Sequence, residues 1–424
     1  MEIEQVYEKF RESGLSLCTD SRLVKPGDFF VALPGETFDG NQFASVALEK
    51  GARYAVVSKS LDASDNRYLV VDDTLECFQS LARYHRNQFS IPVICIGGSN
   101  GKTTTKELLA ATLSKKYNVL ATKGNYNNHV GVPLTLLGIR PEHEIAVLEI
   151  GANHAGEHVV LGNLVCPTHL VVTNNGKDHL EGFGSPEGVR KANAELFDIA
   201  VQYHSQVFLH ADQNDLLSDA ISKGLHPTVF GASDTYVLNP GSTVSLAREG
   251  EIVSSQLVGD YNVPNILTAL VLAESLGVSR TDAALAIGEY VPELNRSQRV
   301  VRDGITYVLD CYNANPSSMR ASLQSFFKTA RHPRAVVLGD MLEMGSYAAA
   351  EHQEMINFLE TQLCDAVFLI GKNFSETSGL PNALRFSDSV SARGAVQDFL
   401  KPNWTVLLKG SRGIAVERVL DLAE

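Results

Sequence analysis

Short apolar runs alternate with amphipathic stretches from residue 91 onward. The runs VICIGG, AVLEIG, LVVTNN and QVFLHA have the length and composition of buried strands. Their alternation with amphipathic segments is typical of a parallel sheet covered by helices. A helix is predicted to begin at Thr103, soon after the first run. A β-rich patch from Tyr236 to Val258 and a helix that begins near Asn262 complete this central segment.

Two further segments flank the central one. Before it, the strands DFFVAL, YAVVS and YLVV surround the turn-rich stretch PGETFDGNQF, and a helix follows over residues 75–89. After it, TYVLD, AVVLGD, AVFLIG and TVLLKG each precede a predicted helix, which gives a small doubly wound domain. Pro292 breaks the pattern between the central segment and the last one. The 424 residues are therefore predicted to form an α/β protein of three domains, 1–89, 90–298 and 299–424.

Composition narrows the class of protein. The formal net charge of −13 argues against nucleic acid as a partner, because phosphate backbones demand a basic surface. No run of about 18 apolar residues occurs and the N-terminus lacks the features of a signal peptide, so no membrane span is expected. The six cysteines form no CxxC pair, which indicates reduced thiols in a cytoplasmic protein. The quaternary state has no signature in the sequence, and a monomer is expected.

The segment GSNGKTT, between an apolar strand and a helix, is suited to hold phosphate. Its glycines let backbone N–H groups approach phosphate oxygens, and the helix N-terminus and Lys102 add positive charge. The Thr103 hydroxyl is placed for Mg²⁺, which prefers oxygen ligands. Ile96 stands where the longer GxxxxGK[ST] loop has glycine, so the match is to a shorter GxxGKT loop. The predicted nucleotide-binding residues are Gly98, Ser99, Asn100, Gly101, Lys102, Thr103 and Thr104.

Several ordered motifs resemble one family. GGSNGKTTT is followed by GNYNNHVGVPLTLL, LEIGANHAGE and NNGKDHLEGFGSPEGV, and this series resembles the Mur ligases. TDSRLVKPGDFFVALPGETFDGNQF near the start, and DCYNANPSSM, LGDMLEMG and LLKGSRG near the end, extend the resemblance along the whole chain. The resemblance implies a UDP-muramoyl substrate-binding domain, a central ATP-binding ligase domain and a C-terminal Rossmann-like domain. It also implies a reaction of peptidoglycan precursor synthesis, in which ATP drives the joining of D-alanyl-D-alanine to UDP-N-acetylmuramoyl-tripeptide through an acyl phosphate.

The central segment supplies the candidate catalytic residues. Glu149 ends a buried strand, where a carboxylate is costly unless it binds a metal or another cation. The resemblance implies an Mg²⁺ ligand, and a structural salt bridge is the alternative. His179 would be a surface histidine by pattern alone, while the resemblance implies a second metal site. Asn127 and Asn128 suit a turn, while the resemblance puts them beside the acyl acceptor. The predicted catalytic residues are Lys102, Glu149, His179 and Asn128, and the predicted metal ligands are Thr103, Glu149 and His179.

Nucleotide contacts are expected from the central and last segments. Asn262 and Asn265 stand at a helix start, where they either cap the helix or contact adenine. Asp310 follows a strand at the ligand-binding edge of such sheets and could accept from ribose hydroxyls. Asn313 and Asn315, just beyond it, offer neutral groups to the nucleotide or the dipeptide.

Charged substrate groups have their own candidates. Lys409 and Arg412 flank a strand-to-helix turn, which is a natural carboxylate site, although a plain surface role is the alternative. Asp20, Ser21 and Arg22 suit uracil, ribose and pyrophosphate, or they form an ordinary turn.

One position departs from the family pattern. Many relatives carry a lysine, carboxylated by CO₂, after the HLEGFG loop, and this chain has Asn193 there. Lys191 is two residues away, roughly 200° round a helix, and so faces elsewhere. Because an amide cannot be carboxylated, we predict that this chain lacks the carbamate and holds that metal with His179, phosphate and water.

Two alternatives stay open. Another member of the family would add a different amino acid, or glutamate to folate. A P-loop GTPase switch or ATPase motor is the alternative from another class, since TNNGKD superficially resembles a guanine-reading NKxD motif, although Gly176 separates the Asn from the Lys. The third residue of the tripeptide is not fixed by any motif.

Overall fold

The structure is a computed structural model, and it describes residues 1–35, 38–59, 64–231, 235–238, 243–248, 251–293 and 295–420. The strands are β1 Leu17–Cys18, β2 Phe29–Val31, β3 Tyr54–Val57, β4 Tyr68–Val70, β5 Val93–Gly97, β6 Val119–Ala121, β7 Ile145–Glu149, β8 His169–Val172, β9 Gln206–His210, β10 Thr228–Phe230, β11 Thr235–Leu238, β12 Thr243–Arg248, β13 Glu251–Val258, β14 Gln298–Arg302, β15 Ile305–Leu309, β16 Arg334–Gly339, β17 Ala366–Ile370, β18 Leu384–Phe386 and β19 Thr405–Lys409.

The α-helices are α1 Ile3–Glu12, α2 Ala44–Glu49, α3 Thr74–Arg86, α4 Lys102–Leu113, α5 Gly131–Leu136, α6 Glu157–Val165, α7 Leu180–Phe183, α8 Pro186–Tyr203, α9 Asn214–Ser222, α10 Val263–Ser275, α11 Arg280–Glu289, α12 Pro316–Thr329, α13 Ala348–Glu360, α14 Lys372–Ser375 and α15 Ser389–Phe399. Short 3-10 helices occupy Gly40–Phe43, Asp260–Asn262, Gly345–Tyr347, Arg412–Ile414 and Val416–Leu420.

The chain folds into two compact units. The first unit contains Met1–Cys95, Asn118–Ile150 and Val159–His169, and the second contains Ile96–Tyr117, Gly151–His158 and Leu170–Glu424. Each unit has a hydrophobic core of its own. The predicted boundaries of three domains, at residues 89 and 298, stay a prediction.

The first unit begins with an all-parallel sheet of strand order β1-β2-β3-β4. Strands β6 and β7 pair in parallel in the same unit. Helix α3 ends at Arg86, three residues before the predicted end. Its start is fixed by Asp73, whose side chain accepts from the N–H groups of Leu75 and Glu76. The buried Arg86 guanidinium donates to the carbonyl oxygens of Phe89 and Val165, which anchors the end of this helix.

The second unit contains the β-rich patch and two long helices of the predicted central segment. Strands β11, β12 and β13 form an antiparallel sheet over the predicted range. Helix α10 begins at Val263, directly after the 3-10 helix Asp260–Asn262, so the predicted start was close. Helix α8 begins with Pro186 after Ser185, whose hydroxyl accepts from the N–H group of Gly188, as a capping serine does.

The C-terminal part of the second unit holds a six-stranded sheet of order β14-β15-β19-β16-β17-β18. Strand β14 is antiparallel to β15 and the other neighbours are parallel. The four predicted strands are present, and β14 and β18 are additions at the two edges. The predicted helix after β19 was wrong for the described residues, which end at 420. Two 3-10 helices occur there, because Ala415 adopts a left-handed backbone (φ 51°) that an α-helix cannot contain.

The cysteines are free thiols in the described residues, and Cys18, Cys95 and Cys311 are buried. Burial raises the pKa of the Cys77 and Cys364 thiols to about 11. Across the described ranges, no helix combines the length and the apolar character that a membrane crossing requires.

Candidate active site

The phosphate-binding loop has the glycine-dependent geometry that its sequence predicts. Gly98 and Gly101 adopt positive φ angles of 110° and 85°, a region that glycine enters without strain. A Cβ atom at Gly98 would lie 2.4 Å from Thr173 Oγ1, and one at Gly101 would lie 2.4 Å from Asn265 Oδ1. Helix α4 starts at Lys102, one residue before the predicted start. The two glycines therefore permit both the turn and the close packing around it.

Lys102 rests on the loop that carries it. Its Nζ donates to the carbonyl oxygen of Gly98 at 2.5 Å and to that of Ser99 at 3.0 Å. Both acceptors are neutral, so these bonds leave the positive charge of the ammonium group uncompensated. Thr103 and Thr104 follow it at the buried start of α4. The arrangement offers a cation and a helix N-terminus to an anion.

The motif TNNGKD braces this loop. The N–H group of Ser99 donates to the carbonyl oxygen of Asn174, and the N–H group of Asn100 donates to Asn174 Oδ1 at 3.1 Å. Asn174 Nδ2 donates back to the Asn100 carbonyl at 2.9 Å. A Cβ atom at Gly176 would lie 2.6 Å from Asn100 Nδ2. Sequence reasoning did not assign a role to Asn174; its place directly after the apolar run LVVT was the available signal.

Glu149 is a buried carboxylate with one unsatisfied oxygen. It is the last residue of β7, and its Oε1 accepts from Asn127 Nδ2 at 2.7 Å. Its Oε2 is buried and has no hydrogen-bond partner in the part of the chain that the structure describes. The structural salt bridge considered as the alternative is not among its contacts there, and a bare buried carboxylate oxygen suits a cation. No group of three or more His, Cys, Asp or Glu side chains with metal-binding spacing occurs among the described residues.

Asn128 makes the turn that was the alternative role for this pair of asparagines. Its Oδ1 accepts from the N–H groups of Val130 at 3.1 Å and Gly131 at 2.9 Å, which closes the turn before α5. Asn127, by contrast, contacts Glu149 directly. Asn127 therefore contacts the Glu149 carboxylate, whereas Asn128 stabilises the backbone turn before α5.

His179 lies against a carboxylate from the C-terminal part of the second unit. Its Nδ1 is in direct contact with Glu343 Oε2. The N–H group of Glu181 donates to the carbonyl oxygen of Glu343 at 3.1 Å, which ties the two backbone segments together. The imidazole beside it holds the pKa of the Glu343 carboxyl below its usual value. Sequence reasoning missed Glu343, although it lies within the quoted motif LGDMLEMG.

Asn262 and Asn265 do not cap helix α10, so the capping interpretation was wrong. Asn262 occupies the N-cap position without a side-chain capping bond. Both residues are buried, and their amides are satisfied by a chain of hydrogen bonds within the unit. Thr105 Oγ1 donates to Asn265 Oδ1, Asn265 Nδ2 donates to Asn262 Oδ1, and Asn262 Nδ2 donates to Ser297 Oγ at 3.0 Å. Contact of either residue with adenine stays a prediction.

Asp310 and Lys409 form a buried ion pair. Asp310 follows β15 directly and Lys409 ends the neighbouring strand β19, with 2.7 Å between Lys409 Nζ and Asp310 Oδ2. The side chains are 3% exposed for Lys409 and 15% for Asp310. Lys409 thus binds a carboxylate, as its type and position suggested, but in this structure the carboxylate belongs to the protein.

Asn315 connects the C-terminal part of the second unit to the phosphate-binding loop. It caps helix α12 in a reciprocal capping box with Ser318, and its Nδ2 donates to Asn100 Oδ1 at 2.8 Å. Asn313 Oδ1 accepts from the N–H group of Ala314 next to it. Arg412 is exposed and pairs with Glu417 at 2.8 Å, which matches the surface alternative for that residue.

The short segment Asp20, Ser21 and Arg22 forms a turn in the first unit. The Arg22 guanidinium binds both carboxylate oxygens of Asp20 and holds the pKa of that carboxyl at about 2. Lys50 Nζ donates to the carbonyl oxygen of Ser21 at 2.9 Å. The turn interpretation therefore describes the contacts present, and binding of the UDP group by this segment stays a prediction.

Asn193 and Lys191 lie on different faces of helix α8, one buried and one exposed. Asn193 is buried, and its Nδ2 donates to Asn175 Oδ1 at 2.9 Å and lies 3.5 Å from Ser99 Oγ. Lys191 is exposed. An uncharged amide thus occupies the position beside the phosphate-binding loop.

Several predicted residues therefore meet within the second unit. The loop at residues 98–104 contacts Asn193, Asn265 and Asn315 through hydrogen bonds or packing. Asp310 and Lys409 contact one another, and His179 contacts Glu343. Such a loop, with polar side chains converging on it from several elements, is typical of an enzyme that positions a nucleotide.

Comparison with known proteins identifies the class. Residues 16–86 match the catalytic domain of the Mur ligase family, residues 96–273 the Mur ligase middle domain, and residues 295–412 the Mur ligase glutamate ligase domain. This chain belongs to the Mur ligase family. The predicted α/β architecture, with N-terminal, middle and C-terminal domains built on parallel sheets, is confirmed.

Within the family, the similarity is to one kind of ligase. The UDP-N-acetylmuramoyl-tripeptide--D-alanyl-D-alanine ligase of Escherichia coli (strain K12) is 35% identical over 428 residues, 96% of this chain and 92% of that one. The protein of the same name from Bacillus subtilis (strain 168) is 31% identical, over 96% of this chain and 93% of its own.

Solved structures give the same result. MurF from Acinetobacter baumannii aligns with a TM-score of 0.87 and 31% identity, over 96% of this chain and 92% of that one. The MurF ligase from Thermotoga maritima in complex with ADP aligns with a TM-score of 0.84 and 26% identity, over 96% of each chain. The chain is thus a MurF-like member of the family, as the motifs predicted.

Proposed function

We propose that this chain joins D-alanyl-D-alanine to UDP-N-acetylmuramoyl-tripeptide in an ATP-dependent, ADP-forming reaction of peptidoglycan precursor synthesis. One observation carries the proposal: the similarity to ligases of that name extends over 96% of the chain, through all three family domains. We place the reaction in the cytoplasm and treat the protein as a monomer, in line with the expectations from its sequence.

The chemistry requires activation of a carboxylate. An ionised carboxylate is a poor acylating agent, so the tripeptide carboxylate attacks the γ-phosphate of ATP, which gives an acyl phosphate and ADP. The dipeptide amine then displaces inorganic phosphate and forms the amide. Catalysis of both steps depends on charge neutralisation and positioning rather than on a protein nucleophile.

Lys102 is the residue to neutralise the transferred phosphoryl group. Its ammonium group is held by two neutral carbonyls, which a phosphate oxygen can replace with a gain of charge attraction. The N–H groups at the start of α4 and the Thr104 side chain complete the cradle. Asn174 keeps the loop in shape through its four hydrogen bonds to Ser99 and Asn100.

The bare Oε2 of Glu149 fits a magnesium ion, because Mg²⁺ takes carboxylate and hydroxyl oxygens as ligands. Thr103 and Glu149 are the residues proposed to hold it, and His179 is proposed to hold a second magnesium ion together with phosphate and water. When bound, Mg²⁺ neutralises phosphate charge and polarises the phosphoryl group. Asn127 orients the Glu149 carboxylate by occupying its other oxygen.

Asn193 supports the proposal that no carbamate takes part. Its amide is buried and bonded to Asn175, whereas Lys191 on the same helix is exposed. ¹³C NMR of the protein in ¹³C-bicarbonate should show no carbamate signal, and added bicarbonate should not raise its activity. A carbamate on Lys191, or a rise in activity with bicarbonate, would contradict this part of the proposal.

The remaining assignments concern substrate binding. Asp310, Asn262 and Asn265 are proposed for the nucleoside of ATP, and Asn313 and Asn315 for the nucleotide or the dipeptide. Lys409 and Arg412 are proposed to attract the dipeptide carboxylate, Lys409 by exchange of its bond to Asp310. The UDP group is assigned to Asp20, Ser21 and Arg22.

The decisive experiment couples ADP release to a spectrophotometric signal. Purified protein receives ATP, Mg²⁺ and UDP-N-acetylmuramoyl-tripeptides that differ at the third residue, with and without D-alanyl-D-alanine. Turnover is expected only when the dipeptide is present, and mass spectrometry should find the UDP-linked pentapeptide. Absence of turnover with every tripeptide would overturn the proposal. Nucleotide hydrolysis at the same rate with and without the dipeptide would favour a P-loop GTPase switch or ATPase motor. Turnover with a free amino acid in place of the dipeptide would favour another Mur ligase.

A further inference from the structure

We propose that Glu343 is a positioning residue for His179. In this role the carboxylate accepts from Nδ1 when the two groups align and keeps the proton there, so that Nε2 presents its lone pair to a cation or to a polar group of the substrate. The proposal rests on the proposed function only for the identity of that ligand. The contact itself is a property of the protein.

The contact joins two loops that are far apart in the sequence. Nδ1 of His179 touches Oε2 of Glu343, across 164 residues of chain. This nitrogen is buried and makes no aligned hydrogen bond within the described residues, so the Glu343 carboxylate is the acceptor beside it. Beside it, the N–H group of Glu181 donates to the carbonyl oxygen of Glu343 at 3.1 Å. A Cβ atom at Gly345 would lie 3.3 Å from Glu181 Cα, so the two backbones are close to their limit of approach. The side chains therefore meet within a docked pair of loops, and not as two mobile surface groups.

The loop that carries Glu343 is anchored on both sides of that residue. The N–H group of Met341 donates to Nε2 of the buried His352 at 2.9 Å, and the N–H group of Leu342 donates to Ser411 Oγ at 2.9 Å. Met344 is buried in the core of the C-terminal sheet. These anchors fix the Glu343 backbone beside His179. A carboxylate on such a base can orient a partner with little loss of conformational entropy.

Both contacting residues have a backbone conformation that favours glycine. His179 has a φ of 46° and Glu343 a φ of 60°. A non-glycine residue in this region is strained and persists only where its surroundings impose it. The Glu343 side chain is 58% exposed, and an ion pair this exposed adds little to stability. The strain and the contact are thus explained better by the orientation of His179 than by the stability of the fold.

The chemistry of a carboxylate–imidazole pair supports this role. In neutral imidazole one nitrogen carries hydrogen and the other accepts, and the partner of one nitrogen decides the tautomer. A carboxylate at Nδ1 favours hydrogen on Nδ1, which frees Nε2 as a ligand. Partners of this kind typically change metal affinity or activity about 10- to 100-fold when removed. Because Glu343 lies in the C-terminal domain, the His179 ligand would be completed only while that domain is docked.

The test uses the full-length protein and three variants. Glu343→Gly removes the carboxylate and relieves the left-handed strain, Glu343→Gln retains an acceptor oxygen, and Asp303→Gly is the matched control. Asp303 is an acidic residue of the same domain with a φ of 52°, in the turn between β14 and β15. Glu343→Gly should melt at or above the temperature of the wild type, as should Asp303→Gly. A role confined to stability would instead lower the melting temperature of Glu343→Gly alone.

The primary readout is the His179 tautomer. ¹⁵N NMR of histidine-labelled protein, with the signal assigned by its loss in His179→Gln, should show hydrogen on Nδ1 in the wild type. Glu343→Gly should shift the population toward hydrogen on Nε2, Glu343→Gln should shift it less, and Asp303→Gly should leave it unchanged. A tautomer that is the same in all variants would overturn the proposal.

The second readout is cation binding. Free Mn²⁺ measured by EPR during titration in the presence of ADP should show about 10- to 100-fold weaker binding in Glu343→Gly and wild-type binding in Asp303→Gly. A tautomer change without dipeptide-dependent ADP release by the wild type would contradict the proposed function and leave the positioning role standing. Mn²⁺ affinity that does not change together with the tautomer would overturn the ligand part of the inference.

Discussion

Lys102 and Lys409 both lie near the carboxyl ends of parallel strands in α/β segments, but their environments differ. Lys102 donates to two backbone carbonyls of its own loop. Lys409 is almost fully buried and paired with the Asp310 carboxylate at 2.7 Å. The first lysine keeps an uncompensated charge for a ligand, whereas the charge of the second is balanced by Asp310, so a ligand carboxylate would have to displace that bond. Residue type and position within a sheet are therefore insufficient to identify an anion site; the charge of the partner decides.

The largest expected difference concerns catalysis. Lys102→Met should reduce dipeptide-dependent ADP release roughly 100- to 1000-fold, because it removes a cation from the developing phosphoryl charge. The coupled assay measures this, with Lys115→Met as the control, since Lys115 pairs with Glu289 at the surface. Wild-type activity in Lys102→Met would show that the charge of Lys102 has no catalytic use.

A second difference concerns stability. Lys409→Met should lower the free energy of unfolding by about 4 kcal/mol, because it leaves the carboxylate of Asp310 buried without its partner. Addition of Asp310→Asn should recover part of the loss, since the uncompensated charge is then removed. Urea denaturation of the two single variants and the double variant measures the coupling. Strictly additive effects would show that the pair is not energetically linked.

The charge of Lys102 should also affect the protonation of the buried His158. Burial, assisted by the nearby Lys102 cation, lowers the pKa of His158 to about 4. Between about pH 6.5 and pH 4, His158 therefore binds a proton in the unfolded chain but not in the native chain. The free energy of unfolding should fall by up to about 3 kcal/mol as the pH is lowered through this range.

Denaturation at a series of pH values checks the slope, and NMR titration checks the pKa. Lys102→Met should raise the pKa of His158, whereas Lys409→Met should not move it. An equal response to both substitutions would remove the distinction between the two lysines.

The smallest effect concerns the hydrogen bond from Asn315 to Asn100 in the phosphate-binding loop. Asn315→Ala should cost about 1 kcal/mol of stability, because it removes a helix cap. Asn315→Asp keeps the cap but replaces the amide donor that binds Asn100 Oδ1, so it should retain stability and weaken ADP binding. Isothermal calorimetry with ADP measures the second effect, and wild-type ADP affinity in Asn315→Asp would argue against a role for the Asn100 contact.

Local chemistry made much of this site predictable from the sequence. The loop and the start of α4 follow from glycines, a lysine and a strand–helix pattern within a dozen residues. Glu149 and Asp310 were placed at strand ends because apolar runs define those ends. The family resemblance then gave roles that no spacing could give.

The partners of these residues were not predictable, because they come from distant positions. Lys409 meets Asp310 across 99 residues and Asn315 meets Asn100 across 215. Asn262 has the right type and position for a cap, yet a tertiary contact with Ser297 and a local one with Asn265 take its amide. The left-handed Ala415 ends the predicted last helix for a reason that its sequence does not reveal.

The buried thiols have a practical consequence for spectroscopy. The pKa is raised by burial at Cys18, Cys77, Cys95, Cys311 and Cys364, and a thiol of pKa near 11 is only about one part in ten thousand thiolate at pH 7. Maleimide dyes would therefore react much faster with a cysteine introduced on the surface. The partly exposed thiols Cys77, Cys166 and Cys364 are the ones to replace first, after which paired fluorophores can follow domain motion during turnover.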